Sequence, residues 1–331
     1  MPEHAVPGGR LTIKGSGFDP DRAHALRLFF GDQRAQITRV SSDAIATIVP
    51  DRATSMLHVE IDDVKSEPFE ASIATLMAEE LQPVANPAVD AEGGIYVTLS
   101  GGRGEKVPVS LYRIEPDGEV KPFLSDILNP TGLAWGPNDC LYVSSRQDGT
   151  VYRVHPSRDV ELVADELGIA TGLAFNPEGI LYVGDRRGTI FRIERNGEPR
   201  AFCQLEPSIS AYHLAFNGNG DLFVTGPSLA THDPVYRIDS KGRVEVFCQG
   251  FGRPQGLAFD ETGNLYVAEG LTGDSGIIRI TPEKEVTRII SSPPLVGLAF
   301  DGTGGLVLAG NSSVFRLKIG ILGQPSLRAA P

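Results

Sequence analysis

The stretch Pro254-Gln-Gly-Leu-Ala-Phe-Asp-Glu-Thr-Gly-Asn-Leu-Tyr-Val-Ala-Glu-Gly270 decides the fold, because its pattern returns along most of the chain. Gly256 to Phe259 alternates small and large side chains with the period of a strand. Asp260 to Gly263 supplies hairpin-turn residues, and Leu265 to Val267 is a second strand of residues suited to a pleated, half-buried surface. Copies read Gly132-Leu-Ala-Trp135 with Leu141-Tyr-Val143, Gly172-Leu-Ala-Phe175 with Leu181-Tyr-Val183, His213-Leu-Ala-Phe216 with Leu222-Phe-Val224, and Gly297-Leu-Ala-Phe300 with Leu306-Val-Leu308. A degenerate copy, Asn86-Pro-Ala-Val89 with Ile95-Tyr-Val97, comes first.

A period of roughly 40 residues marks a repeat architecture in which each unit must stack on its neighbours to bury its faces. Each repeat continues with a third strand of nearly fixed text, from Leu111-Tyr-Arg-Ile114 to Val314-Phe-Arg-Leu317, and the first five add a fourth. Four antiparallel strands repeated six times predict an all-β fold, a six-bladed β-propeller. The last repeat lacks a fourth strand, whereas Ile73 to Met77 precedes the first repeat as a fourth strand would. This N-terminal strand, about 73–77, is expected to complete the sixth blade and remove an exposed edge.

Residues 8–73 have short alternating strands with frequent turn signals, the texture of a small β-sandwich. Its Gly8-Gly-x-x-x-Ile-x-Gly-x-Gly-Phe18 opening, the Phe30-Gly31 strand end and Ser42-Asp43 ahead of Val49-Pro50 resemble an IPT/TIG domain, an immunoglobulin-like fold. The resemblance implies a spacer or protein-contact module, or in some members DNA binding, which the acidic balance disfavours. It also implies a Pro-containing strand ahead of the Gly-Gly turn, for which only Met1 to Pro7 remain, so that either this strand is lost or the true start lies upstream. The expected organisation is a sandwich over 1–72, a propeller over 73–320 and a tail over 321–331.

The formal net charge of -12 argues against duplex nucleic acid or an anionic membrane as the main partner, since both would be repelled at long range. No apolar run approaches the ~20 residues that span a bilayer, and no basic-then-apolar leader opens the chain. As written the chain is expected to be cytoplasmic; a start further upstream would make it secreted or periplasmic. The three cysteines read as reduced filler, because Cys203 and Cys248 hold equivalent places on adjacent blades, beyond the ~7 Å reach of a disulfide.

Repetition separates architecture from site. The arginine of every third strand (Arg113, Arg153, Arg192, Arg237, Arg279, Arg316) and the aromatics Tyr96, Tyr142, Tyr182, Phe223 and Tyr266 recur, and so read as structural. What differs between repeats is the lead-in to the first strand and the loop between second and third strands, which lie on one face of a propeller. Candidate ligand-binding residues there are Asn129, Thr131, Arg146, Thr171, His213, Arg253 and Gln255. His213 replaces a glycine found in four other repeats, and with Glu269 or Asp185 across from it could serve as acid or base; the plainer reading is a hydrogen-bonded channel histidine. Asp185 with Arg186 and Arg187 reads as a solvated turn.

Over residues 74–319 these repeats resemble NHL-repeat proteins and the related gluconolactonase/senescence-marker-protein (SMP-30-like) family. That resemblance implies one divalent metal at the channel mouth, held by a Glu before the first blade, an Asn in an Asn-Gly-Leu lead-in and an Asp in a Pro-Asp-Gly lead-in. The matching positions are Ala85, Thr171 and Gln255, which offer no carboxylate for a hard cation. No metal or other cofactor is therefore expected. The reading favours a propeller that binds a small molecule, glycan or protein on its channel face over an enzyme; the alternative is a lactone hydrolase or lyase with a relocated site.

Overall fold

The computed structural model of the chain describes residues 2–62, 64–102, 107–270 and 274–325. Six four-stranded antiparallel sheets follow one another, their first strands being Ala88–Val89, Pro130–Trp135, Ala170–Phe175, His213–Phe216, Pro254–Phe259 and Leu295–Phe300, here blades 1 to 6. Each first strand packs beside that of the next blade, and that of blade 1 beside that of blade 6, so the ring is closed. The first hairpin of each blade is set by its turn residue. In blade 5 the Asp260 carboxylate accepts from the backbone N–H of Thr262 and Asn264 and from the Tyr266 hydroxyl, while Gly263 takes the left-handed conformation at φ 87°. Asp301 repeats the arrangement with Thr303 and Gly305 in blade 6.

Blades are joined by edge-to-face aromatics. Tyr96 meets Phe123 of its own blade and Trp135 of the next; Tyr182 meets Phe202 and Phe216, Phe223 meets Phe247 and Phe259, and Tyr266 meets Phe300. Third-strand arginines pair with carboxylates of their own blade: Arg113 with Asp90, Arg153 with Glu161, Arg237 with Asp221, Arg316 with Asp301. Cys140, Cys203 and Cys248 are free thiols.

The sixth blade is completed from the N-terminal side, by Thr75–Glu79 lying antiparallel to Ser313–Lys318. That is two residues later than the sequence suggests. The offset has a cause: Ser72–Ile73 is taken by parallel pairing with His4–Ala5, and the Ala74 N–H donates to the Ala5 carbonyl at 2.9 Å. His4–Ala5 also runs parallel to the outer strand of blade 5, with His4 opposite Ile290 and Ala5 opposite Ser291. The Pro-flanked strand that the IPT/TIG resemblance implies is thus present, and it makes the junction between sandwich and ring. Val6 and Ala74 pack into the core shared by blades 5 and 6. The sandwich keeps its own core around Leu28, Phe30, Ile45 and Leu57. The tail, in which the sequence shows no strand pattern, is tied down as well: Gly323 bridges to Asp260 and the Gln324 N–H donates to the Phe259 carbonyl at 2.9 Å.

Candidate functional site at the channel mouth

The two ends of the ring axis are different cavities. At the end where lead-ins and second-to-third loops meet, a cavity of about 420 Å³ is lined by Ser100, Thr131, Arg146, Thr171, Arg186 and Gln255, with Gln82, Ser210 and Ser312 at its rim. Among the described residues no aspartate or glutamate lines it. At the other end a cavity of about 560 Å³ is lined by the repeated Leu-Ala-aromatic ends of the first strands and by Gly323 to Pro325 of the tail. Asn86 also lines this far cavity, and its side chain ties blades 5 and 6 together, donating to the Leu257 carbonyl at 3.1 Å and accepting from the Leu298 N–H at 3.2 Å.

The neutral polar groups of the mouth are largely committed to one another. The Thr171 hydroxyl donates to the Gly184 carbonyl at 2.9 Å and accepts from the Tyr212 N–H at 3.1 Å. Thr131 donates to the Asn129 carbonyl, and Thr98 of blade 1 donates to the Thr131 carbonyl. The Asn129 amide donates to the Gly102 carbonyl, and the Gln255 amide to the Leu295 carbonyl at 3.4 Å. This network crosses from blade to blade and fixes the rim of the cavity before anything enters it.

Arg146 and Arg186 hold equivalent positions of blades 2 and 3, one residue past the second strand. Their backbones are fixed in the same way, with the N–H of each donating to a lead-in carbonyl, Asn129 and Ile169 respectively. Arg146 reaches back to the Gly101 carbonyl of blade 1 at 2.9 Å, and Arg186 reaches forward to the Ser208 and Ile209 carbonyls ahead of blade 4. Burial first, and the charge of Arg186 second, push the Arg146 guanidinium below its ordinary pKa. The neighbouring Arg187 differs: it is mostly exposed and pairs with Asp185 at 3.0 Å.

Four of the seven ligand-binding candidates, Thr131, Arg146, Thr171 and Gln255, come together in the mouth. Asn129 is buried beside it and lines a lateral groove shared by both arginines. Arg253 stands exposed with a left-handed backbone, φ 54°, away from the cavity lining. His213 is 2 % exposed and lines neither cavity; its Nε2 is buried without a hydrogen-bond partner, which departs from the hydrogen-bonded histidine expected. Burial pushes its pKa down to about 4, so the ring is neutral. Asp185 and Glu269 act as loop clamps in blades 3 and 5. Asp185 accepts from the Ile169 and Arg187 N–H groups; Glu269 accepts from the Gly252 N–H and from Arg288. Neither lines the mouth.

The positions that would hold a family metal do not fit one. Ala85 is buried and carries no donor atom, while Thr171 and Gln255 are neutral and engaged elsewhere. Among the described residues no group of three or more His, Cys, Asp or Glu is placed to hold a cation. Sequence reasoning missed Arg186 by reading it as part of a solvated turn. Aligning Val143-Ser-Ser-Arg146 on Val183-Gly-Asp-Arg186 would have revealed it. Residues 103–106 and 271–273, in the loops between second and third strands of blades 1 and 5, lie outside the described residues.

Comparisons with known proteins agree with this architecture. A sequence profile of the SMP-30/gluconolactonase/LRE-like region matches residues 142–309, and one of the IPT/TIG domain matches residues 2–72. Among curated proteins none matches the sequence. Similar solved structures include a candidate gluconolactonase, 17% identical with a TM-score of 0.63, covering 77% of this chain and 94% of that one. An auxiliary nutrient binding protein from Bacteroides ovatus is 13% identical with a TM-score of 0.57, covering 98% of this chain and 97% of that one. A catalytically inactive virginiamycin B lyase from Staphylococcus aureus, solved with quinupristin, is 13% identical with a TM-score of 0.54, covering 94% of this chain and 99% of that one. At these identities the likeness is one of fold.

Proposed function

Since the chain belongs to the SMP-30/gluconolactonase/LRE-like family and carries an IPT/TIG domain ahead of its propeller, we propose that it binds a small molecule at the channel mouth without a catalytic metal. The observation that carries this reading is the lining of the 420 Å³ cavity: neutral hydroxyls and amides, of which Thr131, Thr171 and Gln255 are held by an inter-blade network, two arginines and, among the described residues, no carboxylate. Such a volume suits a small ligand, and convergent polar groups on a rigid scaffold suit recognition. The name of the nutrient-binding neighbour from Bacteroides ovatus points the same way. The sandwich, held by the parallel His4–Ala5 strand, then acts as a fixed appendage on the outer edge of blade 5.

For the enzyme alternative, a lactone hydrolase or lyase with a relocated site, the described residues supply no base in this cavity: Asp185 and Glu269 clamp loops and His213 is sealed off. A thermal-shift screen of small molecules on the wild type and on Ser312→Trp tests the binding reading. Ser312 lies on an exposed turn at the rim, so the indole fills the mouth without entering the core. Ligands that stabilise the wild type should lose their effect on this variant. Hits that stabilise both equally would move the site away from the mouth.

A further inference from the structure

We infer that the ligand of the mouth is an oxyanion-bearing small molecule, a carboxylate or a phosphate, whose charged group is clamped between Arg146 and Arg186. This inference rests on the mouth being the binding site, and it names the class of ligand. Its starting point is a contrast of charge. The chain is acidic, with a net charge of -12, yet among the described residues two cations and no acid line the cavity. Most of the third-strand arginines have a carboxylate partner, and so does Arg187 beside the mouth. Among the described residues Arg146 and Arg186 have none.

What holds them is neutral. A guanidinium has five N–H donors; Arg146 gives one to the Gly101 carbonyl and Arg186 gives two, to the Ser208 and Ile209 carbonyls. Those carbonyls lie on opposite sides, before blade 2 and ahead of blade 4, and both arginine side chains line the mouth and the groove beside it. The side chains of Thr131, Thr171 and Gln255 beside them already donate to backbone carbonyls. The charged donors of the cavity are guanidinium N–H groups, and the like charges of Arg146 and Arg186 act on each other across half-buried space. An anion relieves that repulsion and accepts two-pronged hydrogen bonds, which a neutral sugar or amide does not do. The equivalent residues of the other blades break the pattern, since Gly226, Gly270 and Asn311 follow the second strands of blades 4, 5 and 6. The clamp is thus confined to one side of the ring, where a lateral groove shared by both arginines leaves room for the remainder of the molecule.

The test uses calorimetry with full-length protein and four probes: inorganic phosphate, citrate, benzoate and uncharged glucose. Phosphate separates a bare oxyanion from the two carboxylates. At least one anion is expected to bind in the millimolar range or tighter and to weaken as ionic strength rises. Arg146→Gln and Arg186→Gln should each lower that affinity about tenfold or more. Arg146→Lys, which keeps the charge and loses the fork, should lower it less. Melting curves show whether each variant is folded, and the lysine variant covers the case in which a glutamine loosens the loop. Anion binding that is equal in wild type and both glutamine variants overturns the clamp, as does the absence of heat from all three anions. Glucose bound by the wild type, unaffected by either arginine change and lost in Ser312→Trp, would overturn the clamp and leave the mouth as the site. Binding of any probe that survives Ser312→Trp and the arginine changes would overturn both.

Discussion

The two ends of the channel are built from the same six strands by opposite rules. The far end is made of what repeats: Leu-Ala-Trp or Leu-Ala-Phe from blades 2 to 6, giving an apolar cup against which the tail is pinned. The mouth is made of what is not kept round the ring: Thr131, Thr171, Gln255 and Val296 at one level, Arg146 and Arg186, from blades 2 and 3 alone, at the next. Residues required six times for packing cannot vary, whereas residues facing a shared cavity are free to differ. Position on the strand, rather than residue type, separates fold from site. Damage to repeated text should therefore cost stability, and damage at the mouth should cost recognition.

The heaviest blow to the repeated side is removal of residues 1–79. The ring then loses the strand that pairs with Ser313–Lys318, and blade 6 exposes a third-strand edge. Loss of a cooperative melt, or aggregation on a sizing column, is expected. A truncated chain that melts like the full one would mean that three strands suffice for the sixth blade and that closure is not what the N-terminal strand provides.

Next comes Tyr266→Ala. Tyr266 is fully buried, stacks edge-to-face on Phe300 and bonds Asp260. Its loss should cost about 3–5 kcal/mol by urea denaturation, while the folded fraction keeps its ligand affinity at the mouth. A weakened affinity in that fraction would show that the two ends are coupled.

This division also governs what the sequence reveals. Six blades, their strand order and the closing strand follow from repeated text, because periodic apolar residues and Asp-x-x-Gly turns impose themselves on the backbone. The two-residue offset of closure was hidden, since it depends on His4–Ala5 pairing with Ser72–Ile73, nearly 70 positions apart. At the mouth, Thr131, Arg146, Thr171 and Gln255 were legible by comparing repeats. Arg253 was not: it occupies a lead-in, yet its left-handed backbone stands away from the cavity. Nor was His213, since only packing shows that the side chain in the place of a glycine is sealed between the blades.

His213 tests the seal through pH. Its folded pKa, about 4, lies below the ordinary 6.5, so the unfolded chain takes up a proton between these values that the folded chain does not. Stability from this residue is complete above about pH 6.5 and declines as pH falls towards 4, by about 3 kcal/mol in all. Carboxylates such as Asp90, Asp260 and Asp301, whose pKa values are lowered, lose their contribution at more acidic pH. Denaturation of wild type and His213→Gln across this window isolates the histidine term, and an unchanged slope in the variant would place His213 in contact with water. Gly256→Ala probes the same layer sterically. A Cβ there would sit 2.2 Å from Asn86 Oδ1 and 2.5 Å from Gly297 Cα, so the inner strands must part, at a cost of about 1–3 kcal/mol.

Gln255→Ala should have the smallest effect on stability and makes the sharpest cut between the two rules. Gln255 is one residue before Gly256 on the same strand, yet its side chain is half-buried in the mouth, and its one hydrogen bond, to the Leu295 carbonyl, is long at 3.4 Å. Removing it leaves no buried donor unpaired and opens onto a cavity already there, so the stability change should stay within about 1 kcal/mol. If the mouth recognises ligand, the same substitution should measurably weaken whatever small molecule stabilises the wild type, because Gln255 lines that cavity. Paired melting and calorimetry on Gln255→Ala and Gly256→Ala thus place two adjacent residues on opposite sides of the comparison. Destabilisation at Gln255 as large as at Gly256, with binding untouched, would make the mouth part of the scaffold and leave the division between repeated and varied residues without functional meaning.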